Sequence, residues 1–348
     1  MIAALLTLAA VQAAQAAAPP PEPPVPFAIH AVPFPGLGEP KTVGCLSLRA
    51  GLTLEAEQPG FGGYSDMVLD GAGGATLVSD AGHVVWLDLA TGPSGDLSGV
   101  SNARMAPIIE RDGSRLGKRD GDAEGLAAFG GGYVVSFETL HRVARMNAGG
   151  VLGATIHPPP EDLGAFGSNS GFEALALLTD GTLLAISEGK DADGEAVVRR
   201  GRMDRPLAEW TRASYRPAEA FAVTGAATDP LTGDLFVLER AYSPWRGARM
   251  RIVRVAEADT GADVVRGREL TRMGFLEGID NMEGIAAVRT PDGALRLHLV
   301  SDDNFSALQR TVVLTLGLAP GCEDGDATQA PARRDAAPQE AVEGQEGR

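Results

Sequence analysis

One phrase recurs along this chain: an acidic residue, a short run of small apolar residues, a turn, a second apolar run and another acidic residue. It runs from Asp66 to Asp80, from Glu124 to Glu138 and from Glu173 to Glu188. The next copy begins on Thr224 instead of an acid and ends on Glu239, and the last, with a longer turn, runs from Glu283 to Asp302. Self-similarity at such a period marks a propeller, solenoid or array, because one hairpin cannot bury its apolar faces alone. Antiparallel pairing sets the start of the first strand beside the end of the second. Both acids of a copy therefore fall at the same end of its hairpin. Arranged radially, the copies bring nine carboxylates around one mouth of a central channel.

Strand-like runs follow each hairpin, at 83–89, 142–146, 196–203, 249–255 and 311–316, with weaker fourth runs at 105–110, 151–157, 208–215 and 264–273. Blades of four antiparallel strands suit this count. The expected fold is an all-β propeller of five blades, or six if residues 90–120 hold a degenerate blade. Its last blade combines residues 42–54 with 282–316, so that strands from the two ends pair and close the ring. A long sandwich would not explain equivalent acids in each copy. The 45 glycines and 23 prolines suit many short strands joined by tight turns.

The first 18 residues are apolar and then alanine-rich, ending in Ala-x-Ala options, and are read as a signal peptide. Residues 19–41 are a proline-rich spacer, 42–319 the propeller domain, and 320–348 a disordered tail. This organisation implies export to the periplasm or medium, with no integral membrane span in the mature chain. In an exported chain Cys45 and Cys322 are free to form a disulfide across the closing blade, two unpaired cysteines being the simple alternative. A net charge of −16 disfavours a nucleic-acid partner. A small-molecule ester or phosphoester, or a protein partner, remains.

Gathered carboxylates repel, so a stable fold needs counter-charge, raised pKa values or bound cations. Oxygen-rich, histidine-poor surroundings suit Ca²⁺, and Asp66, Asp80, Glu124, Glu138, Glu173, Glu188 and Glu283 are its expected ligands. Arg142, Lys190 and Arg240 follow the second-strand acids and are expected to pair with them. Glu239, Arg240, Asp302 and Asp303 form the expected catalytic group: one acid activates water, and the guanidinium faces the substrate. His83 and His141 are candidates for acid–base steps. For any one acid, a turn cap or a tie between blades is the competing role. The chain has no G-x-S-x-G elbow, no H-E-x-x-H and no C-x-x-C.

The segments Gly62–Ser65 with Ser79-Asp80, Asp122–Gly125, Asn169–Glu173, Leu238–Arg240, Asn281–Gly284 and Ser301–Phe305 resemble the phytase-like domain family, esterase-like activity of phytase. The resemblance spans about residues 60–316. It implies an exported β-propeller with a hydrolase activity. The metal-dependent propeller phytases carry runs of basic residues for a polyanionic substrate, and this chain has no such run. Two functions follow: a metal-dependent hydrolase of phosphate or carboxylic esters, or a non-catalytic propeller that binds a ligand or envelope protein.

Overall fold

The computed structural model describes residues 23–34, 40–167 and 170–322. The expected signal peptide and residues 323–348 of the expected tail lie outside the described residues. Four strands precede the first hairpin: β1 (Val25–Pro26), β2 (His30–Pro33), β3 (Lys41–Val43) and β4 (Leu46–Glu55). Blade I is β5 (Tyr64–Leu69), β6 (Gly74–Ser79), β7 (His83–Thr91) and β8 (Leu97–Pro107). Blade II is β9 (Ala123–Phe129), β10 (Gly132–Phe137), β11 (Arg142–Met146) and β12 (Leu152–Ile156). Blade III is β13 (Phe172–Leu177), β14 (Leu183–Lys190), β15 (Ala196–Gly201) and β16 (Thr211–Tyr215). Blade IV takes β17 (Ala222–Thr228), β18 (Leu235–Ser243) and β19 (Gly247–Val255); β20 (Val264–Val265) follows, and β21 (Arg268–Met273) completes it. Blade V is β22 (Met282–Arg289), β23 (Leu295–Ser301) and β24 (Thr311–Leu318), continued by β4.

Each sheet runs outward in chain order, as meander pairing of hairpins requires, and the sheets form a five-bladed propeller. The packing follows from the apolar faces. Five separate cores lie one between each pair of adjacent blades, including Leu54, Tyr64 and Val313 between blades V and I. The innermost strands β5, β9, β13, β17 and β22 touch their neighbours all the way round, with β22 against β5. Turns are closed by side chains that mimic backbone: Asp70 accepts the N–H groups of Ala72 and Gly74, and Asn147 those of Gly149 and Val151.

Strands from both ends of the chain share blade V, β4 lying antiparallel to β24 with Val313 opposite Leu52. Cys45 and Cys322, 277 residues apart, form a disulfide across this seam with a Cα–Cα separation of 5.5 Å. Three details differ from the sequence expectation. Residues 90–120 hold no sixth blade, because 97–107 extend the fourth strand of blade I. Part of the expected spacer joins the sheets, β1 pairing with β8 and β2 with β4. The run at 264–273 is divided, since β20 pairs in parallel with β16 of blade III while β21 completes blade IV. Among the described residues, no helix is long and apolar enough to cross a membrane.

One local irregularity positions everything that follows. Every first strand slips register against its second strand near its start, around Ser65, Glu124-Gly125, Glu173, Thr224 and Glu283. A bulge adds a residue and re-aims the side chain. The innermost strands are also crowded there. A Cβ on Gly125 would lie 2.6 Å from the carbonyl oxygen of Glu173, and one on Gly225 2.7 Å from that of Glu283.

Candidate metal and catalytic site

Register decides which acids meet. Tyr64, Ala123, Phe172, Val223 and Met282 occupy equivalent places, opposite Ser79, Phe137, Ser187, Glu239 and Ser301. One residue further along the first strand, the bulge positions carry Ser65, Glu124, Glu173, Thr224 and Glu283. One residue further along the second, the equivalent positions carry Asp80, Glu138, Glu188, Arg240 and Asp302.

Asp66 is therefore one place past the bulge. It is fully buried, and its carboxylate accepts the N–H groups of Met67 (2.8 Å), Leu126 (2.8 Å) and Ile285 (3.4 Å). It ties blades I, II and V together instead of joining the expected ligand set. Glu239 is likewise one place early and points between blades. Its carboxylate pairs with Arg251 Nη1 at 2.6 and 2.7 Å, and it accepts the Tyr215 hydroxyl (2.5 Å) and the Ala218 N–H (3.1 Å). Asp303 is used up by its loop, accepting the N–H groups of Gly63 and Phe305 and the Thr311 hydroxyl. Asp66 and Glu239 do not converge with the other acids, because a shift of one residue along a strand turns a side chain to the opposite face. Asp303 lies past the end of β23, beside Asp302, with its oxygens committed to its loop partners.

The remaining acids interact with one another. The carboxylate oxygens of Asp122, Glu124 and Glu138 lie within 4.8 Å of each other. Glu124 is within hydrogen-bonding reach of Glu173, and Glu138 of Asp122. Burial, then Glu173 and Asp122, pushes Glu138 up to about 8. Burial, then Glu188, pushes Glu173 up to about 8, and burial with Glu173 and Asp122 carries Glu124 well above the carboxylate range. Burial, then Asp302 and Asp122, raises Asp80 to about 7, and Asp80 Oδ1 is buried without a hydrogen-bond partner.

On the other side sits Arg240. Its Nη1 donates to Asn281 Oδ1 at 2.7 Å and faces Glu283 Oε1 at 3.0 Å, while Nη2 donates to Glu188 Oε1 at 3.3 Å. Burial still raises Glu188, with Arg240 opposing it, and lifts Glu283 to about 8 against the same guanidinium. Asn281 Nδ2 donates to Glu283 Oε1 at 2.8 Å and reaches Asp302 Oδ2 at 3.5 Å. Burial raises Asp302 only to about 6, because the Asn304 N–H and Arg240 hold it down. Lys118 and Lys190 act at longer range, on Asp80 and Glu188.

Arg142 does not neutralise Glu138. It donates to the carbonyls of Leu140 and Asp120 and stacks 3.9 Å above the Phe137 ring. His83 starts β7, its pKa lowered by burial and by Arg115, and the ring of His141 packs edge-on against Phe166 at 5.0 Å. Asp122 and Asn281 were absent from the expected ligands and catalytic residues. Their signal is the spacing Asp-x-Glu and Asn-x-Glu, which places two polar side chains on one face of an extended chain.

The donor set is chemically suited to a hard cation. Every ligand atom is oxygen, three carboxylates are mutually close, and an orphaned carboxylate oxygen lies nearby, as Ca²⁺ prefers.

Known proteins were compared with the chain. A Thermus thermophilus protein described as an oxidoreductase (glucose dehydrogenase) is 17% identical, covering 83% of this chain and 99% of its own, with a TM-score of 0.34. A Dyadobacter fermentans protein of unknown function is 13% identical, covering 86% and 96%, with a TM-score of 0.38. A mannose phosphorylase from Leishmania mexicana, in complex with phosphate ion, is 10% identical, covering 84% of each chain, with a TM-score of 0.39. A search of curated proteins finds no match. The profile of the phytase-like family, esterase-like activity of phytase, matches residues 59–305, and the chain belongs to that family.

Proposed function

We propose that this chain is an exported, Ca²⁺-dependent hydrolase of phosphate or carboxylic esters that works at the carboxylate cluster. One observation carries the reading: Asp122, Glu124 and Glu138 crowd together on blade II while the guanidinium of Arg240 is engaged by Glu188 and Glu283. Membership in a family described by an esterase-like activity supports it. The signal-like start and the disulfide support export. The opposing observation is that Arg240 neutralises part of the cluster internally, which favours the binding-propeller reading.

Asp122, Glu124, Glu138 and Glu173, with Asp80 beside them, are the residues that would hold Ca²⁺. When bound, the ion polarises a phosphoryl or carbonyl oxygen and offsets developing charge. Arg240 orients the same group of the substrate. Blade V supplies the proton transfers, because its two carboxyls, bridged by Asn281, titrate apart. Asp302, at about 6, is ionised near neutrality, and its Oδ2 takes a proton from the attacking water. Glu283, at about 8, keeps a proton on Oε2 and delivers it to the departing alkoxide as the ester bond breaks.

The test is hydrolysis of phosphomonoesters and carboxylic esters with Ca²⁺ and then with chelator. Turnover lost on chelation, and lowered about 10²- to 10³-fold in Asp302→Asn, is expected. Turnover indifferent to chelator would remove the metal from the reading, and no turnover on either ester class would leave the binding-propeller reading in its place.

A further inference from the structure

A groove of about 440 Å³ lies on blade II beside the carboxylate cluster, within the size range of small-molecule sites. Leu140, Leu163 and Pro158 line it together with His141 and Thr139. It adjoins the cluster at Thr139. The Thr139 hydroxyl donates to Asp122 Oδ2 at 3.3 Å, and Thr139 directly follows Glu138. Gly171 packs against both sides of this junction, since a Cβ there would come 3.1 Å from His141 Nδ1 and 3.8 Å from the Cα of Glu138.

The chemistry of the groove is unlike that of the cluster. Leu140 and Leu163 stand 43% and 45% exposed into solvent. The one guanidinium lining it, Arg142, donates to two backbone carbonyls and covers Phe137, so its cation is already engaged. A second anionic group would face the carboxylates of Glu110 and Asp120 here. An apolar group would cover the two leucines and strip water from them, which is favourable in proportion to the area removed.

We propose that this groove is the subsite for the apolar alkyl part of the substrate, and that the substrate class is an amphiphilic monoester, one reacting phosphate or carboxylate ester carrying a hydrocarbon chain. This rests on the hydrolase reading for the reacting end but stands on the groove for the chain. Polyphosphorylated substrates are disfavoured by the same geometry, because Arg240 already faces the carboxylates of Glu173, Glu188, Glu283 and Asp302.

Calorimetric titration with alkyl phosphonates of increasing length, methyl to octyl, in excess Ca²⁺ tests the groove without requiring turnover. Affinity is expected to rise about fourfold for each methylene buried until the groove is full. Leu163→Asp should flatten the series and leave methyl phosphonate unchanged, and Leu140→Ser should do the same by a second route, each variant being checked by its melting curve. A flat series in the unmodified protein, or a slope that survives both substitutions, overturns the proposal. Turnover of short-chain esters is measured in parallel. Length-dependent binding without turnover sinks the hydrolase and keeps the subsite; turnover with a flat binding series does the reverse; no binding of any phosphonate overturns both.

Discussion

In blade II the three positions turned toward the cluster carry Asp122, Glu124 and Glu138; in blade IV the equivalent three carry Ala222, Thr224 and Arg240. The backbone of the two hairpins is alike, with the same bulge at the same place. The residues make them opposites. Blade II concentrates negative charge that burial makes costly, and blade IV supplies the guanidinium that Glu188 of blade III and Glu283 of blade V lean on. A repeated fold offers equal places around an axis. Filling them unequally creates a pole of crowded carboxylates and a pole that carries its own guanidinium.

Blade IV also holds the sharpest internal contrast, since Glu239 and Arg240 are adjacent in sequence and belong to different environments. The largest expected effect comes from Glu239→Gln. Arg251 would be left without its buried partner, and urea unfolding should show a loss of about 3–5 kcal/mol. The Ca²⁺-dependent rise in melting temperature should be unchanged. A shrunken rise would return Glu239 to the metal site and break the distinction between the two residues.

Next in size is the cation response itself. Glu138, Glu173 and Glu283 have folded pKa values of about 8, above the ordinary value of 4.5. The folded state thus binds more protons than the unfolded state between those limits. Their contribution to stability is present in full below about pH 4.5 and is lost as pH rises through about 8. Calcium-free protein should therefore melt at progressively lower temperature from pH 5 to pH 8. At a hundredfold excess over its dissociation constant, Ca²⁺ should restore about 2.7 kcal/mol. The gain should be larger at pH 8 than at pH 5, because the ligands must be deprotonated to bind. Asp122→Asn with Glu138→Gln should remove most of that gain and itself raise the calcium-free melting point at pH 8. If the double variant responds to Ca²⁺ like the unmodified chain, blade II is not the cation site.

Arg240→Gln should have the smallest effect of the three, about 2 kcal/mol at pH 8 from the loss of charged hydrogen bonds to Glu188 and Glu283. The loss should shrink toward pH 5, where Glu283 holds its proton. A pH-independent loss would mean that Arg240 acts by packing alone.

Much of this was legible in the chain. Alternating apolar runs, turn residues at regular intervals and recurring acids are local signals, and they led to an all-β propeller with acids at one end of each hairpin. Glu124, Glu138, Glu173, Glu188, Glu283 and Asp302 meet because their spacing within each copy is consistent with the pairing. Asp66 and Glu239 misled for one reason. The second strands are buried on both faces, so runs such as Leu235–Glu239 show no alternation from which to read a register. The bulge then moves the first strand by one residue, and nothing in Gly-Tyr-Ser-Asp-Met announces whether Ser65 or Asp66 takes the extra place. Asp122 and Asn281 were quoted within the family-like segments, yet their place in the cluster depends on the chain at 122 and 281 running beside Glu138 and Asp302, whose N–H groups bond to their carbonyls.

By itself, then, the sequence determined the number of hairpins, their polarity and the charge carried at one end, because these depend on interactions between residues near one another along the chain. Only the tertiary structure decided which acids face each other, that Arg240 stands where four other blades carry acids, that Asp66 ties three blades together, and that Cys45 reaches Cys322. Those outcomes depend on register and ring closure, which are set by the packing of one blade's apolar face on the next and are therefore properties of the assembled ring, not of any single repeat.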